Sequence, residues 1–404
     1  MPEAVIVSAA RTPIGRANKG SLKDFRPDDL TALAVRAALD KIPALDPTTI
    51  DDLILGCGLP GGESGFNMGR VVSTLLGLDS VPGTTVTRYC SSSVQTSRMA
   101  LHAIKAGEGD VFVSAGVETV SRFAKGTSDH LPGTVNPRFD DAQSRSAKLA
   151  EGGQDWRDPR EDGDLPDIYV AMGQTAENVA NLRGLDRREL DEFGVRSQNL
   201  AEKAIADGFW AREITPVTTP DGTVVSADDG PRAGVTYESV AGLKPVFRPD
   251  GVVTAGNCCG LNDGAAAVVV MSDTKAAELG LTPLARIVST GVSGLSPEIM
   301  GLGPVEATRR ALAIAGMSIG DIDLVEINEA FAAQVVPSYQ ELGIDLDRLN
   351  VNGGAIAVGH PFGMTGARLQ NTMINSLDWH DKSTGLITMC VGGGQGMAMI
   401  LERV

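Results

Sequence analysis

Apolar residues along this chain fall into short continuous runs, separated by stretches where they recur every three or four positions. That is the pattern of buried strands alternating with amphipathic helices. Val5-Ile6-Val7 opens a first strand. Ala34 to Leu39 reads as a helix and Ile50 to Leu55 as the buried strand that follows it. A β-prone run, Thr84 to Thr87, leads through Arg88-Tyr89-Cys90-Ser91-Ser92-Ser93 into a helix. Val94, Ser97, Leu101 and Ile104 share one face of that helix, and Gly107 stops it. A further apolar strand, Asp110 to Ala115, comes next.

The second half repeats the first. Arg36 precedes Ile50 by fourteen residues, and Arg309, in the helix-like Ala307 to Leu312, precedes the strand Ile322 to Ile327 by thirteen. Cys90 lies forty residues past Ile50, and His360 thirty-eight past Ile322. Beyond each comes a helix and another strand, the second being Leu386 to Cys390. Three elements in matching order indicate a long-period duplication and α/β layers. Two such copies facing each other would bring their strand-to-helix junctions, and with them Cys90 and His360, towards one cleft.

Between the copies the pattern changes. Residues 122–169 are polar and turn-rich, with Gly126, Pro132, Pro137, Gly152, Gly153, Pro159 and Pro166, and are expected to lie over the surface. A helix is predicted from about Met172. Another starts with Asp186 as its N-cap and Glu189 as capping-box partner, buries Leu190, Phe193, Leu200, Ala204 and Ile205, and ends at Gly208. The expected organisation is therefore an N-terminal half (1–121 with 250–272), an inserted loop domain (122–249) suited to holding the bulk of a substrate, and a C-terminal half (273–404).

Composition narrows the function. At 404 residues the chain exceeds one ordinary core. With 35 basic and 51 acidic residues its net charge is −16, which argues against nucleic acid and anionic membranes while leaving an anionic small substrate open. Five cysteines without CxxC spacing, and four histidines, suit neither a disulfide framework nor a zinc site, so no metal is expected. The N-terminus reads as a strand and not as a secretory signal, and no window approaches a membrane span; a reducing cytoplasm is the default.

Four stretches carry chemistry. Cys90 sits at a strand-to-helix junction, where backbone N–H groups and the helix dipole would lower a thiol pKa; a buried structural cysteine is an equal reading of that stretch alone. Asn328-Glu329-Ala330-Phe331 follows a buried strand, where polar groups must be hydrogen-bonded. Gly359-His360-Pro361 places a histidine at a helix start, and Cys390-Val391-Gly392-Gly393-Gly394 ends a strand with backbone open to close approach. Singly, each has an ordinary structural explanation. No G-x-S-x-G is present, which disfavours a serine hydrolase.

Together these stretches resemble the signature motifs of the thiolases (acetyl-CoA C-acyltransferases). Val5 to Gly15, Thr175-Ala176-Glu177-Asn178, Thr254-Ala255-Gly256-Asn257 and Asn262-Asp263-Gly264 extend the resemblance along the whole chain. It implies a thiolase-like α/β fold of two duplicated halves in αβαβα layers, with the inserted loop domain holding coenzyme A. It also implies thiolytic cleavage of a 3-ketoacyl-CoA by CoA to acetyl-CoA (or propionyl-CoA) and a shortened acyl-CoA, reversible as a Claisen condensation and placed in fatty acid β-oxidation or lipid metabolism. Cys90 would be the nucleophile, His360 its base and Cys390 the acid that protonates the enolate. Asn328 would hold a water in one oxyanion site, and the N–H groups of Cys90 and Gly392 would form the other. Met172, Arg232, Ser239, Phe247, Ala255, Cys259 and Phe331 would contact CoA, which as substrate is the only cofactor expected.

The resemblance further implies a homodimer or homotetramer. Arg232 follows Asp228-Asp229, so a surface ion pair with those aspartates is the alternative to nucleotide binding. The sequence departs from the family at Thr87, Ser93, Ala171 and Cys258-Cys259, which bears on acyl-chain preference. A biosynthetic acetoacetyl-CoA thiolase and a non-catalytic acyl-CoA or lipid-binding protein are the competing functions. Decarboxylating ketoacyl synthases share the fold but lack a second catalytic cysteine.

Overall fold

A computed structural model describes residues 2–125 and 133–404; the turn residues Gly126 and Pro132 lie outside the described residues. The first half runs β1 (Ala4–Arg11), β2 (Gly15–Arg16), α1 (Pro27–Leu39), β3 (Asp52–Cys57), α2 (Met68–Leu75), β4 (Gly83–Val86), α3 (Ser92–Ala106) and β5 (Val111–Thr119). The insertion contributes α4 (Asp140–Ala150), α5 (Met172–Arg183), α6 (Arg187–Ala206), β6 (Val217–Thr218), β7 (Val224–Val225) and α7 (Tyr237–Ala241). Then follow β8 (Asn262–Ser272), α8 (Asp273–Glu278), β9 (Ala285–Gly294), α9 (Gly303–Ala315), β10 (Leu324–Ile327), α10 (Ala332–Leu342), α11 (Ala355–Val358), α12 (Phe362–Trp379), β11 (Thr384–Val391) and β12 (Gln395–Arg403).

Strand order carries the duplication. The path β10-β11-β12-β9-β1-β8-β5-β3-β4 reads the same way outward from its middle. β3 pairs parallel with β5 as β10 does with β11, and β5–β8 and β11–β12 are both antiparallel. The equivalent strands β1 and β9 meet antiparallel at the centre, through Val5–Arg286 and Ile6–Ala285.

Side-chain alternation then builds the layers. In β8, Val269 and Met271 enter an outer core with Leu30 and Val35 of α1, while Val268 and Val270 enter a central core with Val94 and Ile104 of α3 and Leu369 and Met373 of α12. In β12, Met397 and Met399 face that same central core, and Ala398 and Ile400 face a second outer core with Val305 and Leu312 of α9. Two sheet regions enclosing α3 and α12, each covered outside by helices, give the αβαβα arrangement.

The insertion differs from its expectation in four respects. It contains α4, hidden from periodicity because its sequence is polar all round. It is not wholly superficial, since Trp156 and Asp167 are buried. Glu189 makes no capping box; its carboxylate instead accepts from Gln340. Ile205 is half exposed, and the buried face of α6 runs through Gly194, Ser197, Gln198 and Ala201 because α6 packs along α11 as well as α10. Fully buried Arg11 ties the insertion to β1, contacting Glu213 at 2.5 Å and Asp228 at 2.7 and 2.9 Å.

Candidate active site

Cys90 occupies a one-turn 3₁₀ segment between β4 and α3, as the strand-to-helix reading anticipated. The residue before it, Tyr89, sits at φ +43°, a left-handed conformation unusual for a bulky side chain. The loop is held from below: Ser92 Oγ accepts from the Arg88 N–H at 2.9 Å and donates to the Tyr89 carbonyl at 2.6 Å. Arg88 reaches the other half through Gln395 at 2.7 Å. The backbone N–H groups of Gly392 and of Cys90 itself favour a thiolate at the Cys90 sulfur. Burial outweighs them and pushes the thiol up to about 12. The lowered pKa expected from the helix terminus is thus corrected: desolvation exceeds the dipole when the thiol is enclosed.

α3 and α12 meet at equivalent positions. Ser93 Oγ donates to the Gly363 carbonyl at 2.6 Å and accepts from the Ala367 N–H at 2.8 Å, so a residue that departs from the family pattern joins the two junction helices. His360 directly precedes α12, with Pro361 as N-cap and not as first helical residue. Gly359 before it has φ +110°, and a Cβ there would stand 2.7 Å from Ile14 and 2.8 Å from Asn262. Only glycine fits.

His360 is held on three sides. Its N–H donates to Asn262 Oδ1 at 3.0 Å, its Nδ1 lies 2.6 Å from Thr365 Oγ1, and its Nε2 lies 3.3 Å from Asn328 Nδ2. Burial, with Arg368 adding to it, lowers the imidazole to about 3, so it is neutral at physiological pH. Next to Asn328, Glu329 is satisfied as its buried position requires, accepting from Ser197 at 2.5 Å, Asn350 at 2.8 Å and the Ile356 N–H at 3.0 Å. It fixes loops and faces away from chemistry.

Cys390 ends β11 opposite Gly396 of β12. It is fully buried, and burial together with nearby Cys90 raises its thiol well above the usual range. Cys259 joins them: its N–H donates to the Ala330 carbonyl at 3.1 Å, and burial first, then Cys258, Cys90 and Cys390, raise its pKa. In the hairpin between β11 and β12 the left-handed positions are Gly393 and Gly394; at Gly392 a Cβ would press on the Tyr89 ring at 3.3 Å. The structure therefore brings Cys90, Cys390, Gly392 and Cys259 together, and His360 with Asn328 beside the same α3–α12 contact.

A cavity of about 640 Å³ opens beside Gly359 and Cys259. Arg232, Ser239, Ala255 and Cys259 line it, joined by Arg16 and Lys19. Met172, Phe247 and Phe331 do not line it; they belong to an adjoining apolar cluster in which the Phe247 and Phe331 rings meet edge-on at 6.1 Å. The ion pair considered for Arg232 is not formed. Asp228 is taken by Arg11 and the Ile14 N–H, and Asp229 accepts from the Arg16 and Ser21 N–H groups.

Residues 4–274 match the N-terminal domain of thiolase and residues 281–403 its C-terminal domain. The chain belongs to the thiolase family. It is 45% identical over 411 residues, the full length of both chains, to the 3-oxoadipyl-CoA/3-oxo-5,6-dehydrosuberyl-CoA thiolase of Escherichia coli K12. It is 43% identical over 415 residues to the 3-ketoacyl-CoA thiolase of Bacillus subtilis, again over all of each chain. Among solved structures, the dimeric peroxisomal thiolase of Saccharomyces cerevisiae superposes with a TM-score of 0.88 at 33% identity, covering 100% of this chain and 98% of that one. The Bacillus anthracis acetyl-CoA acetyltransferase superposes at 0.85 and 38%, covering 100% and 99%. This thiolase is an acyltransferase that cleaves 3-ketoacyl-CoA with CoA.

Sequence reading missed three residues around the thiolase site. Thr365 could have been found from its spacing, one helical turn past Pro361. Asn262 lay inside a quoted motif but carried no sign that it would meet a residue 98 positions away. Glu118 is fully buried and accepts from the Gly58, Leu59 and Gly363 N–H groups, capping α12 from the opposite half. Burial raises its carboxyl to about 7. Nothing local in Val117-Glu118-Thr119 announces that role. No helix among the described residues is long and apolar enough to cross a membrane.

Proposed function

We propose that Cys90 is the acyl carrier of this thiolase. Its sulfur attacks C3 of a 3-ketoacyl-CoA as its proton passes to His360 Nε2. The C2–C3 bond then breaks, its electron pair forms the acetyl-CoA enolate, and Cys390 protonates that carbon. CoA next gives its thiol proton to Cys390 and attacks the acyl-Cys90 thioester; Cys90 leaves and recovers its proton from His360. What supports this reading is the meeting of the Cys90 turn with the Cys390–Gly392 strand end, where Gly392 packs against the Tyr89 ring and the Cys90 and Gly392 N–H groups would serve the oxyanion that develops on the C3 oxygen. His360 and Asn328 would serve the enolate oxygen.

The 122–249 insertion would hold CoA, with Arg16, Lys19 and Arg232 at the cavity as cations for its phosphates. No metal enters this scheme. The 3-oxoadipyl-CoA and 3-ketoacyl-CoA relatives match almost equally well, so identity does not choose the acyl chain. Half-buried β4 ends the sheet path and Phe66 beside α2 is 85% exposed, which favours assembly into a homo-oligomer through that edge. We place the protein in the cytoplasm, in acyl-chain degradation.

The test is thiolysis of a panel of 3-ketoacyl-CoAs, 3-oxoadipyl-CoA included, with mass spectrometry of the intact protein. The expected result is an acyl adduct on Cys90, and loss of both adduct and turnover in Cys90→Ala. Turnover without an adduct at Cys90, or retained turnover in the variant, would exclude the scheme.

A further inference from the structure

One oxygen atom joins the two strand-to-helix junctions. Oε2 of fully buried Glu118, near the end of β5, accepts from the Gly58 N–H at 2.8 Å and from the Gly363 N–H at 2.9 Å. Gly58 follows β3 in the N-terminal half. Gly363 is the second residue of α12 in the C-terminal half, three positions past His360.

From Gly58 the contacts continue to the Cys90 turn. Thr87 Oγ1 donates to the Gly58 carbonyl at 2.8 Å and accepts from the Tyr89 N–H at 3.3 Å, so the residue before Cys90 is tied to Gly58. From Gly363 they continue to the imidazole, since the Phe362 ring meets His360 edge-on at 5.3 Å and Thr365 holds its Nδ1. Backbones of the two halves approach closely at this point. A Cβ on Gly58 would lie 2.8 Å from Phe362 Cβ, and one on Gly363 would lie 2.8 Å from the Gly56 carbonyl.

The Gly363 N–H is one of the donors left without an intrahelical partner at the start of α12, and Pro361 at the N-cap offers it no side-chain acceptor. A local cap would satisfy that N–H alone. Glu118 also takes the Gly58 N–H, and so holds the two turns in register. Burial raises its carboxyl to about 7. With two N–H groups on Oε2, a proton sits on Oε1, so Oε2 remains an acceptor in both protonation states.

We propose that Glu118 is a positioning residue whose Oε2 sets the His360 turn against the Cys90 turn, acting as a hydrogen-bond acceptor and not as a charge. The kinetic side of this inference rests on Cys90 and His360 being nucleophile and base; the structural side does not.

The test is single-turnover acylation of Cys90 by a 3-ketoacyl-CoA at pH 8, read by mass spectrometry of the intact protein. Hydrogen exchange over peptides spanning Gly58 and Gly363 is measured on the same full-length proteins. Glu118→Gln keeps an acceptor for both N–H groups, and Glu118→Met removes it. In Glu118→Met the rate constant of adduct formation falls at least about tenfold and both peptides exchange faster, while KM stays within about twofold of wild type. Glu118→Gln brings the rate to within about threefold of wild type and restores protection in both peptides. Thr87 is exposed, so Thr87→Val provides a folded variant if Glu118→Met does not; it slows adduct formation without lowering adduct amplitude, and Thr87→Ser recovers the rate. A Glu118→Met protein that loses amplitude but keeps the wild-type rate constant would overturn the proposal, because a purely structural role removes active molecules and not speed. Glu118→Gln as slow as Glu118→Met, or a wild-type rate in Thr87→Val, would overturn it as well. A wild type without an adduct at Cys90 removes the catalytic scheme, and the exchange arm then still decides whether Glu118 joins the two turns.

Discussion

His360 Nδ1 lies 2.6 Å from Thr365 Oγ1, and that hydroxyl spends its only proton on the Pro361 carbonyl, 2.7 Å away. The oxygen must therefore accept from Nδ1–H, which leaves the Nε2 lone pair facing Asn328 and free to take a proton. A threonine on α12 thus chooses the tautomer. Thr365→Val, which keeps the shape, should lower kcat/KM by roughly 10- to 100-fold with little change in KM, and Thr365→Ser should restore most of it. Steady-state kinetics decides; equal loss in Val and Ser would point to packing alone.

Cys90 should be a thiol in the free enzyme at neutral pH. With burial holding it at about 12, alkylation by iodoacetamide should speed up about tenfold per pH unit through pH 9. Peptide mass spectrometry separates this site from Cys258 and Cys259. A plateau near pH 7 would instead reveal a standing thiolate–imidazolium pair, contrary to the neutral His360.

Cys390→Ser should slow turnover far more than acylation of Cys90. The serine preserves volume but is a poor acid and base for carbon, so single-turnover adduct formation persists while release of acetyl-CoA and thiolysis stall. Equal loss of both steps would remove the role assigned to Cys390.

Glu118 makes stability depend on pH in a stated direction. Its carboxyl titrates near 7 when folded because of burial, and near its ordinary value, about 4.3, when unfolded. The folded state holds the proton more tightly. This group's contribution is therefore complete below the unfolded value and is lost as pH rises to about 7, a change of about 3.5 kcal/mol. The stability advantage of wild type over Glu118→Gln, measured by chemical denaturation, should narrow between pH 5.5 and pH 8. A widening gap would contradict the buried-acid account.

Arg11→Met should destabilise the protein by about 3–5 kcal/mol, because it leaves Glu213 and Asp228 buried and uncompensated. Thermal unfolding measures this directly, and Arg11→Met with Glu213→Gln should recover part of the loss.

The sequence by itself determined a good deal. Apolar periodicity is a local property, so it located the strands and helices of both halves, the stop at Gly107 and the junction positions of Cys90 and His360. The repeated order of those elements was enough to anticipate the layered duplication. Local pattern failed where burial is set by a partner distant in the chain, as on the face of α6, and where a helix is polar all round, as in α4. Tertiary structure alone decided the electrostatics. The helix terminus after Cys90 argued for an acidic thiol, and enclosure by both halves reversed it, since desolvation depends on everything packed around a group and not on its neighbours in sequence. In the same way only folding could bring Asn262 to His360 and set Glu118 of one half against the helix of the other. Those contacts span tens to hundreds of residues, and no spacing along the chain encodes them.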